Sequence, residues 1–229
     1  AQVFFLAQAT EFSPAMSPSF ADEAFTRLEG LVPTQSNRSD EQIEWQQFAT
    51  PPRLAWMAAK ACAISAAELV LEPSAGTGML CVWAAKAAAR LALNEISPLR
   101  RECLGAVFPE ATVTGFDGEL IDELLKPDVG PSVVLMNPPF SAMANVSGRM
   151  ADATYRHIAS ALARLCDGGR LVAITGASFA PDAPAGAGAR TAGRRKSLPG
   201  VCSDGHAVAD RDARAPPVSR GCRRRAVPH

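Results

Sequence analysis

Short apolar runs separated by helical patterns recur through the middle of the chain. Leu69-Val70-Leu71, Leu91-Ala92-Leu93, Thr112-Val113-Thr114, Val133 to Met136 and Leu171 to Thr175 are each too short for a helix and predict five strands. Between them, Met79 to Arg90, Pro98 to Phe108, Glu119 to Leu125 and Ala151 to Cys166 predict helices, the second capped by Ser97 and the last closed by Gly168-Gly169. Short apolar strands alternating with helices predict a mostly parallel sheet covered on both faces, an α/β fold of the Rossmann-like, doubly wound kind.

The flanks follow other rules. Ala1 to Gly30 predicts one or two short helices, and Pro33 to Arg38 a linker. Ser39 with Gln42 forms a capping box for a short helix through Gln47. Thr50 is placed to cap a helix running from Arg53 to Ile64, with Pro51 and Pro52 in its first turn, where proline is tolerated. From Pro181 to His229 the bulky apolar residues are Leu198, Val201, Val208, Val218 and Val227, without Phe, Trp, Tyr, Ile or Met. Such a segment buries too little surface to offset the entropy of ordering it. It reads either as a disordered basic tail or as a reading frame that slips near Ala180, since Ala, Gly, Pro and Arg are what GC-rich DNA yields out of frame. The organisation expected is therefore a helical segment and linker over 1–46, a core over 47–180 and a low-complexity tail over 181–229, with a sheet that can be incomplete at its C-terminal strands.

The 229 residues are enough for one sizeable core, and a hydrophobic fraction of 48% suits a globular chain. Charge divides along the same boundary: residues 1–180 hold 13 basic and 19 acidic side chains, a net of −6, and residues 181–229 hold 10 and 4, a net of +6. The cysteines at 62, 81, 103, 166, 202 and 222 show no CxxC pair and no zinc spacing, so no metal is expected and they read as reduced thiols of a cytoplasmic protein. Val3 to Ala7 is far shorter than a membrane span, and a start at Ala1 suggests a fragment of a longer product.

Candidate chemistry lies at the strand ends. Glu72-Pro73-Ser74-Ala75-Gly76-Thr77-Gly78 joins a strand to a helix, where open parallel sheets bind ligands and where a helix N-terminus offers unpaired N–H groups. Position 81 is Cys rather than the last Gly of a dinucleotide fingerprint, and Met79 stands where a phosphate loop needs Lys, so neither a pyrophosphate nor a triphosphate is favoured. Glu95 ends the second strand, 17 residues after Gly78, where a carboxylate can accept two ribose hydroxyls. Asp117 ends the third strand, placed to accept an adenine amino group with Phe116 along the ring; Asp117-Gly118 is also an ordinary turn. A nucleoside pocket without phosphate machinery points to S-adenosylmethionine. Asn137-Pro138-Pro139-Phe140 follows the fourth strand and groups an amide oxygen, a rigid carbonyl and an aromatic face, a site for a planar group bearing NH2.

These motifs resemble those of class I S-adenosylmethionine-dependent amino-methyltransferases, above all the adenine-specific DNA enzymes. Phe48-Ala49-Thr50-Pro51-Pro52 resembles the additional motif of that group, which implies roles for Thr50 and Pro51 at the methionine part of the cofactor, for Glu95 at the ribose and for Asp117 at the adenine, alongside Glu72, Ser74, Gly76 and Gly78 of the turn. The likeness covers about Gln46 to Thr175 and is greatest to the methylase part of bacterial strawberry-notch-like methylase-helicase proteins, through Gln47 to Pro51, Leu71 to Leu80, Leu91 to Glu95 and Pro131 to Ser141. It implies methylation of N6-adenine in DNA, on a base flipped out or single-stranded. The base would stack on Phe140 and be held by Asn137 and Pro138. Since the core is acidic, DNA is expected to be presented by another domain or subunit, such as a helicase partner; no helicase motif is present in this chain, and no membrane is expected. The tetrapeptide leaves RNA guanine and protein glutamine open as acceptors. A noncatalytic remnant of a methylase-helicase fusion is the alternative of another class. His157 reads as a surface or packing histidine, and Gly176 to Ala180 misses the nucleophile-elbow pattern, which argues against a hydrolase.

Overall fold

The computed structural model of the protein describes residues 2–31, 50–139 and 153–175 and the two-residue strand Cys202–Ser203. The five expected strands form within a residue of their sequence boundaries: β1 (Leu69–Glu72), β2 (Arg90–Asn94), β3 (Thr112–Thr114), β4 (Val133–Met136) and β5 (Arg170–Thr175). They pair in the order β3-β2-β1-β4-β5, every pairing parallel. A sixth strand, β6 (Cys202–Ser203), pairs parallel with the end of β5 and is the one part of the expected tail among the described residues.

Period-2 alternation gives each face of the sheet its own core. Val70, Leu91, Leu93, Val133, Leu135, Val172 and Ile174 point to one face, where they meet α1 (Gln2–Gln8), α2 (Pro18–Leu31), α3 (Pro52–Cys62) and α4 (Met79–Lys86). On that side Phe25 is fully buried, with ring centroids 6.2 Å from Phe12, 6.1 Å from Trp56 and 5.8 Å from Trp83. Leu71, Ala92, Val134, Met136, Leu171 and Ala173 point to the other face, against Ile121, Leu125, Ile158, Ala161, Leu162 and Leu165. Neighbouring residues of one strand therefore serve different cores, which is why these strands read as continuous apolar runs.

Several boundaries differ from the sequence reading. α4 stops at Lys86 rather than Arg90, because the chain turns back through Ala88, at φ +57°, to enter β2. The helix expected from Glu119 starts as a 3-10 turn (Gly118–Leu120) and continues as α6 (Ile121–Leu124). Between them in sequence, α5 (Pro98–Val107) keeps Ser97 at its N-cap position with proline next. α7 (Ala153–Arg164) ends two residues before the expected Cys166, and the expected start at Ala151 lies outside the described residues. At α3 the N-cap residue is Pro51, not Thr50, whose hydroxyl is used elsewhere. The helix expected from Ser39 to Gln47 lies outside the described residues. Cys62, Cys81 and Cys103 are reduced thiols, but Cys166 is disulfide-bonded, so the expectation of six reduced thiols fails there. Its spacing along the chain gives no sign of this, since a disulfide needs proximity in space. Among the described residues no helix is long and apolar enough to cross a membrane.

Candidate cofactor and acceptor site

The strand order reverses between β1 and β4: β2 and β3 were added on one side of β1, and the chain then crosses to the other. In an open parallel sheet this switch point leaves a crevice outside the carboxyl ends of the two central strands. Leu71 lies beside Val134 in the register, so the glycine turn after Glu72 and the Asn137-Pro138-Pro139 segment after Met136 leave from adjacent strands. β2 delivers Glu95 to the same end of the sheet.

The glycine turn is held rigidly. The Ala75 amide donates to the Asn94 carbonyl at 2.8 Å, and the Gly78 amide to the Ala75 carbonyl at 2.8 Å. Gly76 and Gly78 adopt φ of +57° and +88°, where a side chain is strained. Gly78 is also small for an internal reason: a Cβ there would stand 2.7 Å from Phe108 Cε2 and 2.9 Å from Leu104 Cδ2, so it lets α5 close onto the start of α4. Ser74 is half-buried and Thr77 exposed at the outer edge of the turn.

Glu95 is buried at 4% exposure, and its carboxylate accepts two backbone amides, Gly76 N at 2.7 Å and Ser97 N at 2.9 Å. The acid placed by sequence as a ribose ligand thus also fixes the turn, using one lone pair on each oxygen and leaving the others for further donors. Ile96, the next residue, is 39% exposed. It is an apolar surface beside the acid, and its signal in the sequence was an isoleucine directly after a strand-end glutamate.

Asn94 is the residue that sequence reasoning missed. It is buried, and its amide nitrogen donates to the carbonyls of Pro73 and Phe116, both at 2.9 Å. Its oxygen accepts from the Phe116 amide at 2.8 Å and the Thr114 hydroxyl at 2.9 Å. One side chain therefore ties the glycine turn to the loop carrying Phe116 and Asp117. Its signal was a polar residue ending an otherwise apolar strand, which is costly to bury unless it is hydrogen-bonded.

Asp117 is exposed, and one carboxylate oxygen accepts from the Glu119 amide at 3.0 Å, so it caps the 3-10 turn as well as lining the loop. Glu72 is turned under the site: it is buried, and its carboxyl accepts from the Cys81 thiol at 2.7 Å. Burial pushes the Glu72 carboxyl well above the usual carboxylate range, and the charge of Glu95 adds to this. The Cys81 thiol is pushed up as well, first by burial and then by Glu72.

On the acceptor side, the Asn137 amide nitrogen donates to the Thr50 hydroxyl at 3.0 Å, joining two residues 87 positions apart. The Asn137 amide oxygen is buried and has no hydrogen-bond partner among the described residues. Pro138 is buried, and the Pro139 carbonyl accepts from the Thr154 hydroxyl at 2.7 Å. Pro51 is exposed at the start of α3, beside Thr50 in the chain. Phe140 lies outside the described residues. The structure thus brings Thr50 to Asn137 and Glu95 to the glycine turn, while Glu72 contacts Cys81.

This architecture can be compared with known proteins. The type I restriction-modification system methyltransferase subunit from Streptococcus thermophilus superposes with a TM-score of 0.50 at 16% identity, covering 72% of this chain and 45% of that one. The fold is a Rossmann-like, mostly parallel sheet with helices on both faces, as in that methyltransferase subunit. A protein provisionally named an RNA methyltransferase from Pyrococcus horikoshii matches at 21% identity and a TM-score of 0.46, covering 66% of this chain and 69% of that one. An amino pentose methyltransferase from Micromonospora echinaspora, solved with S-adenosylmethionine bound, matches at 14% identity and a TM-score of 0.38, over 60% of this chain and 56% of its own. This chain spans about half the length of the first and last of these. No protein-family model and no curated protein sequence matches it.

Proposed function

We propose that this chain transfers a methyl group from S-adenosylmethionine to an exocyclic amino nitrogen, with N6 of adenine in DNA as the acceptor. The observation that carries the reading is the Asn137 side chain, whose nitrogen is committed to Thr50 and whose oxygen is buried without a partner among the described residues. Leaving a buried acceptor unsatisfied costs about 1–3 kcal/mol, and an amino group docking against it recovers that cost. An amine carries two hydrogens, and the Pro138 carbonyl is the natural second acceptor next to Asn137. Two fixed acceptors suit NH2 better than a hydroxyl, which has one hydrogen to donate.

The residues at the switch point fit the cofactor. Gly76, at φ +57°, has no neighbour closer than 3.9 Å to the place a Cβ would take, so a ligand can approach the backbone there. Glu95 retains lone pairs for ribose hydroxyls, Asp117 and Phe116 lie on the next loop for the adenine, and Thr50 and Pro51 flank the acceptor for the methionine part. When bound, S-adenosylmethionine supplies an electrophilic methyl carbon on a sulfonium. Asn137 and Pro138 would hold the amine by its two hydrogens and draw its lone pair out of conjugation, with Phe140 expected to stack on the base. No strong base would be required of these residues, since methyl transfer would release the cofactor as a neutral thioether and leave an acidic N–H whose proton passes to water. Fixed dipoles in a dry site are the main source of acceleration.

The net charge of −6 over residues 1–180 supports presentation of DNA by another domain or subunit, a helicase half among them, rather than capture by the core alone. The test is transfer of tritium from labelled S-adenosylmethionine to single-stranded DNA, RNA and protein in parallel, with nucleoside digestion to locate N6-methyladenine. Label appearing in RNA or protein but not DNA moves the acceptor to guanine or glutamine. A chain that gains none of the roughly 2.7 kcal/mol expected at 100 times the dissociation constant is no methyltransferase, and the remnant reading replaces this one.

A further inference from the structure

We propose that α7 is a strut that positions the acceptor loop and the adenine-side loop together, with Thr154 and Arg156 as its positioning residues. The inference rests on the methyltransferase reading for its catalytic consequence, but not for its structural one.

The first turn of α7 reaches both halves of the site. Thr154 is buried, and its hydroxyl donates to the Pro139 carbonyl at 2.7 Å, directly after the acceptor residues. Two residues on, the Arg156 guanidinium grips Glu119 through two bonds, Nε to Oε2 at 2.9 Å and Nη2 to Oε1 at 3.0 Å. The Glu119 amide in turn donates to Asp117, so the grip is one step from the proposed adenine ligand. His157 packs against the same turn: a Cβ on Gly118 would stand 2.9 Å from its Nδ1 and 3.0 Å from the Pro73 carbonyl oxygen, which leaves no slack between α7, the turn and the end of β1.

The helix is pinned along its length by a row at i, i+4 and i+8, which places Arg156, Ser160 and Arg164 on one face. Ser160 donates to the Asp122 carboxylate at 2.6 Å and accepts from the Asp122 amide at 3.1 Å. Arg164 donates to the carbonyls of Asp122 and Lys126. These bonds run from the 3-10 turn through α6 to the chain beyond it. A helix bonded to that segment at three successive levels, and to the acceptor loop at its first turn, cannot shift at one loop without shifting at the other. The distance between amine and methyl donor is sensitive to such shifts, because reacting atoms must be held within a narrow range. Contiguous rigid contacts of this kind are a physical route for coupling, which then has to be measured.

The test uses hydrogen exchange with mass spectrometry on the full chain without cofactor, read on peptides spanning 116–121 and 133–139. Thr154→Val removes the donor with little change of shape, and Arg156→Gln removes the grip on Glu119. Each variant is expected to raise exchange about threefold or more in both peptides, and Thr154→Ser, which keeps a hydroxyl, to restore the wild-type rates. A change confined to the peptide each residue touches, or no change, overturns the strut. In methyl-transfer assays Arg156→Gln should lower kcat about tenfold as well as raise KM for S-adenosylmethionine about tenfold; a rise in KM alone overturns the coupling. A wild-type chain that binds no S-adenosylmethionine by calorimetry overturns the methyltransferase reading, and the exchange data then still decide the strut.

Discussion

Glu95 holds two backbone amides and Asn94 makes four hydrogen bonds, so the proposed cofactor side of the crevice is tied together by the protein itself. Across the switch point, Asn137 spends its nitrogen on Thr50 and leaves a buried oxygen open among the described residues. The two sides differ in what completes them. Preorganised groups on the cofactor side lower the ordering cost of binding. On the proposed function, an acceptor left open among the described residues is completed by the substrate, and its full strength is then available when charge develops on the amine.

The comparison breaks most clearly at Asn137. Asn137→Ala should slow methyl transfer by about 100- to 1,000-fold, as loss of one fixed hydrogen-bonding group does at other polar sites, and leave affinity for S-adenosylmethionine within about twofold. Tritium transfer and calorimetry on the same preparation check this, and equal loss of both would mean that Asn137 belongs to the cofactor side. Asn94→Ala should act on stability, because it strands buried groups of Pro73, Thr114 and Phe116; about 3 kcal/mol is expected in urea unfolding. A loss below about 1 kcal/mol would show that this side is not held together by Asn94. Glu95→Gln weakens charge-assisted bonds of about 1.5–3 kcal/mol each, so affinity for S-adenosylmethionine should drop about 10- to 100-fold while kcat at saturation changes less. An unchanged dissociation constant would confine Glu95 to holding the turn.

The smallest effect concerns His157, which is buried against Gly118 with no partner for Nδ1 among the described residues. Burial lowers its pKa below the usual imidazole value, with Glu119 and Asp117 pulling the other way and Arg156 acting with burial. Below a pH of about 6.5 the unfolded chain takes up a proton that the folded chain refuses, so stability falls as pH falls, by up to about 1.4 kcal/mol per pH unit, until the folded histidine protonates too. His157→Gln should remove that part of the slope in urea titrations between pH 5 and 8. An unaltered slope would show that acid acts elsewhere.

Much of the fold could be read from local pattern. All five core strands lie within a residue of their apolar runs, because each is a short apolar segment between chain-turning residues. The glycine turn was legible from the failure of the phosphate-loop patterns together with its place between strand and helix. The end of α4 was not legible, since Ala87 to Arg90 are acceptable helix residues and it is the need to enter β2 that stops the helix. Thr50 looked like a cap because a threonine before proline usually is one; its bond to Asn137 depends on β4 and α3 meeting, which local pattern does not report. His157 was expected at the surface or in packing, and it packs, but the row of Arg156, Ser160 and Arg164 beside it went unread because polar residues at i+4 spacing are also what a solvated helix face shows.

By itself the sequence determined the layered α/β class, the positions of the strands and the residues delivered to their carboxyl ends, since strand length, turn chemistry and alternation act over a few residues. Tertiary structure decided which of those ends lie side by side, that the order reverses between β1 and β4, and that Asn94 and α7 bind the loops into one crevice. Those outcomes depend on hydrogen bonds between residues 15 to 87 positions apart, whose partners exist only once the sheet has formed.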